Sequence, residues 1–203
     1  MKMTQGGFNI LRASLSRTLT QEQVDGINHY VSEIDKDGGI SYAQASYVLA
    51  TVWHETATKM KPIEEYGKGQ GRPYGTWHKN SKGDLYSFKN GNKKEAYLYK
   101  DYPHLYYGRG DTQNTWFDNY SKLSKVFGVD FLRKPELLLT REWSTKATLY
   151  SMKNGLYTGK KLSDYINTTK TDFVNARRII NGVDRASQIA KYAEIFLKAL
   201  KSY

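Results

Sequence analysis

At 203 residues the chain can bury a hydrophobic core on its own, and its lack of cysteine excludes disulfides, thiolate nucleophiles and zinc–thiolate sites. Thirty-one Lys and Arg against 20 Asp and Glu give a net charge of +11, which favours an anionic partner: nucleic acid, anionic lipid and the acidic bacterial cell wall all qualify. The four histidines (His29, His54, His78, His104) are far apart and lack metal-ligand spacing, so neither a metal nor another cofactor is expected. Seventeen tyrosines offer apolar rings with polar tips, suited to gripping a wet, partly apolar ligand. Met1–Gly7 lacks the apolar run of a signal peptide and no stretch reaches the roughly 18 apolar residues of a membrane span, so a soluble cytosolic product is expected.

In chain order, Phe8 to Ser32 carries apolar residues at helical spacing in two sets, Ile10, Leu11, Leu15 and then Val24, Ile27, Val31. Thr20-Gln-Glu-Gln23 between them matches a capping box. Asp35–Gly39 reads as a turn, and Ser41 then caps a helix running to about Thr56 with Ala45, Val48, Leu49 and Val52 as its buried stripe. Residues 66–105 are rich in Gly, Lys, Asn and Tyr, with eight Lys/Arg between Gly67 and Lys100 against Asp84 and Glu95. Asp84–Phe88 and Ala96–Tyr99 are expected as short strands around Asn90-Gly91. Helical patterning returns at Asn119–Phe127, Thr140–Met152 and Leu162–Ile166, and most plainly from Ala186 to Leu200. The expectation is one mainly α domain over residues 1–203, with 66–105 as a basic, irregular β lobe inserted in it.

Glu55 lies seven residues after Val48, nearly two helical turns, and so falls near the apolar stripe. A carboxyl group on an apolar face is poorly solvated, which favours its protonated form and suits it to general-acid work. The spacing equally allows a glutamate at a helix end turned to solvent. Pro62 stops the helix, leaving Glu64 and Glu65 on a loop expected to fold back over Glu55. Two carboxyl groups flanking a bond are what glycosidic hydrolysis requires; the alternative for Glu64-Glu65 is a solvated charge pair.

Tyr106-Tyr-Gly-Arg-Gly-Asp-Thr-Gln-Asn-Thr-Trp116 brackets Arg109 with glycines, which suggests a tight turn presenting side chains. Gln113, Thr115 and Asn119 have the groups to bond sugar hydroxyls and acetamides. Arg109-Gly110-Asp111 also spells the integrin-binding tripeptide, a match short enough to arise by chance. Gly67–Arg72 lacks both the preceding strand and the Gly-Lys-Ser/Thr ending of a phosphate loop.

His54-Glu55-Thr56, then Glu65 after Met60-Lys-Pro-Ile63, then Tyr107-Gly-Arg-Gly-x-x-Gln113-x-Thr-Trp116 with Asn119-Tyr120, resemble glycoside hydrolase family 19, and more narrowly its phage endolysin branch. Gly155–Tyr165 and Asn175-Ala-Arg-Arg-Ile-Ile-Asn-Gly182 extend the resemblance, which runs from about residue 8 to the C-terminus. It implies a lysozyme-like α-helical fold and an inverting hydrolysis without a covalent intermediate. On matching positions Glu55 is the general acid and Glu65 the base, with Glu64 the alternative if the base is counted nine residues on from Glu55. Thr115 would hold the attacking water, and His54, Tyr107, Gln113, Asn119, Tyr120, Arg177 and Asn181 would bind the sugar. Asp111, Thr112 and Asn114 depart from the family pattern, which has an apolar residue at the place of Asn114.

The resemblance implies peptidoglycan or chitin as substrate, and the positive charge favours the anionic wall. The basic polar face of the last helix (Arg185, Lys191, Lys198, Lys201) can contact anionic outer-membrane lipid. The expected setting is a monomer made in the host cytoplasm, reaching the wall through holes made by a holin-type partner, with no nucleic-acid role. A lytic transglycosylase, needing one acid and no base, and a non-catalytic wall- or nucleic-acid-binding protein are the competing readings.

Overall fold

The computed structural model describes residues 1–92 and 95–202. It is 51% helical and 8% strand, so the chain is mainly α. It divides into two compact units, Met1–Lys61 with Thr148–Tyr203, and Pro62–Ala147.

The first unit is helical: α1 (Gln5–Ser14), α2 (Gln21–Asp37), α3 (Tyr42–Glu55), the short α6 (Leu162–Tyr165) and α7 (Ala186–Leu200). Thr20 and Ser41 head α2 and α3 with capping boxes closed by Gln23 and Gln44, so two of each helix's orphan polar groups are satisfied by side chains. The start of α1 falls earlier than the apolar spacing suggests, because Thr4 accepts from the Gly7 N–H and caps it. The α3 stripe is wider than expected: every residue from Ala45 to Trp53 is buried, since neighbours cover the helix on all sides. Trp53 meets Phe196 of α7 edge-on at 6.1 Å, and Leu11, Ile27, Ile34, Val48, Leu49, Ile189 and Phe196 fill the core around them.

The second unit holds α4 (Phe117–Phe127), the start of α5 (Arg141–Asn154), and five short strands: β1 (Ile63–Glu64), β2 (His78–Lys79), β3 (Leu85–Phe88), β4 (Ala96–Leu98) and β5 (Arg109–Gly110). Strands β1 and β5 form an antiparallel pair, and β2-β3-β4 form an antiparallel sheet. Strands β3 and β4 fall where alternation placed them; β1, β2 and β5 were not foreseen, being two residues each and too short to show a period. Tyr97 stacks on Phe117 at 4.9 Å, and Tyr106 and Tyr120 pack beside them as an aromatic core. Of the eight cations counted in the basic lobe, Lys93 and Lys94 lie outside the described residues.

Candidate active site

In the first unit, α3 delivers Glu55 as its final residue. The helix stops there because the chain turns through left-handed backbone at Ala57, Thr58 and Met60 (φ 48°, 68° and 53°), a conformation that costs energy for non-glycine residues. Three contacts hold that turn. Thr56 Oγ1 donates to the Val52 carbonyl at 2.7 Å and accepts from the Met60 N–H at 3.0 Å, and Gln23 Nε2 donates to the Thr58 carbonyl at 2.9 Å. Gln23 therefore serves both as the α2 capping residue and as a brace behind Glu55.

The Glu55 side chain is 18% exposed and forms an ion pair with Arg177 Nη1. The sequence leaves an apolar face and a solvent-turned helix end both open; the partner that Glu55 meets comes from Asn175–Ile179, 122 residues on, and nothing local announces it. Arg177 is itself buried and fixed from its other side, Nε donating to the Asp184 carbonyl at 3.1 Å. Tyr47, two turns before Glu55, stacks on Phe173 at 6.0 Å, and burial pushes its phenol well above the usual range. Burial holds the half-buried His54 below the ordinary imidazole range, against the opposing field of Glu55. Asn181 is exposed, and its N–H reaches the Arg177 carbonyl at 3.1 Å.

The second unit places both other carboxylates on one scaffold. Glu64 is not on a loop as expected; it is a strand residue opposite Arg109 in the β1–β5 pair. Tyr107 donates to Glu64 Oε1 at 2.6 Å, with Lys68 at 3.6 Å and Arg109 at 4.0 Å. The Tyr107 hydrogen bond, helped by these cations, holds the Glu64 carboxyl below the usual range. Glu65 points elsewhere, as alternation along an extended chain requires. Its Oε1 accepts from Tyr74 at 2.9 Å and its Oε2 from the Gly108 N–H at 2.8 Å. Burial and this contact push the Tyr74 phenol up to about 12. The chain must fold tightly to bring Tyr74 there: a Cβ on Gly75 would sit 2.0 Å from the Gly69 carbonyl oxygen.

Arg109 is 6% exposed and lies with its guanidinium 3.7 Å from the Tyr107 ring, donating to the Leu105 carbonyl and the Tyr120 hydroxyl. Tyr120 is fully buried, its hydroxyl donating to the Tyr107 carbonyl at 2.8 Å, so it braces Tyr107 and Arg109 where the sequence reading has it among the sugar-binding residues. Gln113 donates to the Ile63 and Gly110 carbonyls, both at 3.0 Å, tying the β1–β5 pair. Thr115 donates to the Gln113 carbonyl and Asn119 to that of Thr115, both at 2.9 Å. Trp116 adopts φ 75° and meets the Tyr74 ring at 5.0 Å.

The unusual Asp111, Thr112 and Asn114 are all buried. The Asp111 N–H donates to Ser144 Oγ at 2.7 Å, and Ser144 donates back to Asp111 Oδ2 at 2.7 Å. Asn114 Nδ2 donates to the Arg109 carbonyl at 3.3 Å. These polar residues build an internal brace, and burial closes the Arg-Gly-Asp tripeptide to any receptor. Sequence reasoning missed Tyr74 and Ser144, whose partners are distant in the chain. Among the described residues no three His, Cys, Asp or Glu side chains come together as a metal site.

The mainly α, lysozyme-like frame is that of the family 19 chitinase fold. Among solved structures, the chain is similar to a bacterial family 19 chitinase at 20% identity, covering 99% of this chain and 96% of that one with a TM-score of 0.58. It is similar to chitinase C from Streptomyces griseus HUT6037 at 20% identity (97% and 92% covered, TM-score 0.57), and to a mutant form of chitinase C at 19% (99% and 93%, TM-score 0.59). No protein-family model matches the sequence, and no curated protein does.

Proposed function

We propose that this chain is a glycoside hydrolase that cleaves β-1,4 bonds of an amino-sugar polymer, and that its substrate is bacterial peptidoglycan. The observation that carries the reading is the set of carboxylates, each held by its own partners: Glu55 by Arg177, Glu64 by Tyr107, and Glu65 by Tyr74 and the Gly108 N–H. The fold shared with family 19 chitinases supports it. In this reading Glu55 protonates the leaving oxygen, Glu65 takes a proton from the attacking water, and Thr115 holds that water. Releasing a proton requires a protonated Glu55, so the Arg177 pair must open as the sugar chain binds. Glu65 is the better base because two donors fix its direction, while Glu64 serves the Tyr107–Arg109 stack. His54, Tyr107, Gln113, Asn119, Arg177 and Asn181 shape the sugar subsites, Gln113 and Arg177 through the backbone they hold.

The net charge of +11 favours an anionic wall over neutral chitin. The same reading makes the protein a phage endolysin, a monomer that leaves the host cytoplasm through holin-type holes; the exposed Lys191 and Lys198 of α7 would meet anionic outer-membrane lipid on the way. Digestion of purified peptidoglycan with mass spectrometry of the fragments tests it. Free reducing ends are expected; anhydro-sugar ends would make the protein a lytic transglycosylase instead. Glu55→Gln and Glu65→Gln should each lower turnover by about 10²–10⁴-fold and Glu64→Gln by much less. An active Glu65→Gln beside an inactive Glu64→Gln would transfer the base role to Glu64.

A further inference from the structure

The inserted lobe carries a sheet whose two faces differ. Alternation and register place Lys79, Leu85, Ser87 and Tyr97 on one face of β2-β3-β4, and His78, Tyr86, Phe88, Ala96 and Leu98 on the other. The first face is buried at its centre: Ser87 donates to the Pro73 carbonyl at 3.1 Å, Tyr97 donates to that of His104 at 2.9 Å, and the Tyr97 ring stacks on Phe117. The second face is half open. Its three rings touch one another, His78 to Tyr86 at 5.4 Å, His78 to Phe88 at 5.2 Å and Tyr86 to Phe88 at 5.6 Å, and no described ring outside the sheet covers them.

A contiguous half-open aromatic face marks a surface that meets a partner. The lobe's charge narrows the choice. Lys68 and Lys89 are ion-paired, but Arg72, Lys79, Lys82 and Lys100 are exposed and have no carboxylate within ion-pair distance among the described residues. Rings for pyranose faces on the same lobe as exposed cations for carboxylates complement one ligand chemistry, a polysaccharide that is both apolar-faced and anionic.

We propose that this outer sheet face is an accessory docking surface for the wall polymer, which holds the enzyme on insoluble glycan apart from the residues that cleave it. The inference rests on the peptidoglycan reading above. The test is co-sedimentation with purified, insoluble peptidoglycan beside turnover of a short soluble amino-sugar oligomer. The double variant Tyr86→Ser/Phe88→Ser should be retained about tenfold more weakly while turning over the short oligomer at the wild-type rate. Equal retention by a folded variant overturns the proposal. If that variant unfolds, Lys82→Glu/Lys100→Glu decides, with weaker retention expected and unchanged retention overturning it. Wild-type retention on single-stranded DNA but not on peptidoglycan also overturns it. A wild-type chain that sediments with the wall but cleaves neither substrate would remove the hydrolase reading and leave the docking surface standing.

Discussion

Arg177 is a fixed partner for Glu55. It is buried, it spends Nε on the Asp184 carbonyl and Nη1 on the carboxylate, and removing it would leave Glu55 without its buried counter-charge. Arg177→Met should therefore destabilise the fold by about 3 kcal/mol, read from the denaturation midpoint. Adding Glu55→Gln to that variant should restore part of the loss, and no restoration would mean that the pair contributes nothing as a pair. Glu64 makes a pH prediction with a definite sign. Its carboxyl is held below the usual range by the Tyr107 hydroxyl, so the stability it supplies is present above the unfolded value of about 4.3 and is lost as pH falls through the lower folded value. Tyr107→Phe should make stability less sensitive to acid between about pH 5 and pH 3. An unchanged acid limb would show that the hydrogen bond is not what holds Glu64 ionised.

At the scale of elements, local chemistry decides the helices and long-range pairing decides the strands. Ser41 is the clearest case, since its side chain caps the helix that carries Glu55. Ser41→Ala should cost about 1 kcal/mol in thermal or chemical denaturation, with the fold retained. Helix α7 runs over the residues its apolar period marks, Ala186–Leu200, because each contact that defines it lies within four positions. Strands β1 and β5 had no such signature. Ile63 pairs with Gly110 and Glu64 with Arg109, so neither strand exists without a partner some 46 residues away. Gly110 sits at φ 92° with the Leu138 carbonyl 3.0 Å from where a Cβ would be, which makes the glycine of that motif a packing requirement.

Across the whole molecule, buried tyrosines supply a common response to alkali. Burial, the largest cause throughout, raises the phenols of Tyr47, Tyr74, Tyr97, Tyr106 and Tyr120, that of Tyr74 to about 12. A raised folded value contributes stability that is complete below the unfolded value of about 10 and is lost as pH climbs toward the folded one. The chain should accordingly unfold cooperatively in alkali, with phenolate absorbance and loss of helical circular dichroism rising together above about pH 10. Phenolate appearing well before helix is lost would place these rings nearer to solvent than their burial indicates.

The sequence by itself determined the mainly α frame, the caps of α2 and α3, the limits of α7, the β3–β4 hairpin and the position of Glu55 at a helix end. All of these follow from propensities and periods acting over a few residues. It also marked Glu64, Glu65, Tyr107 and Gln113 by their order along the chain. Only the tertiary structure decided what these residues touch. It gave Glu55 the buried Arg177, Glu65 the Tyr74 hydroxyl, and Asp111 a buried Ser144. It also turned Tyr120 inward. The physical reason is that a carboxylate's behaviour depends on which donors and cations lie within a few ångströms of it, and here those arrive from positions 4 to 122 residues away.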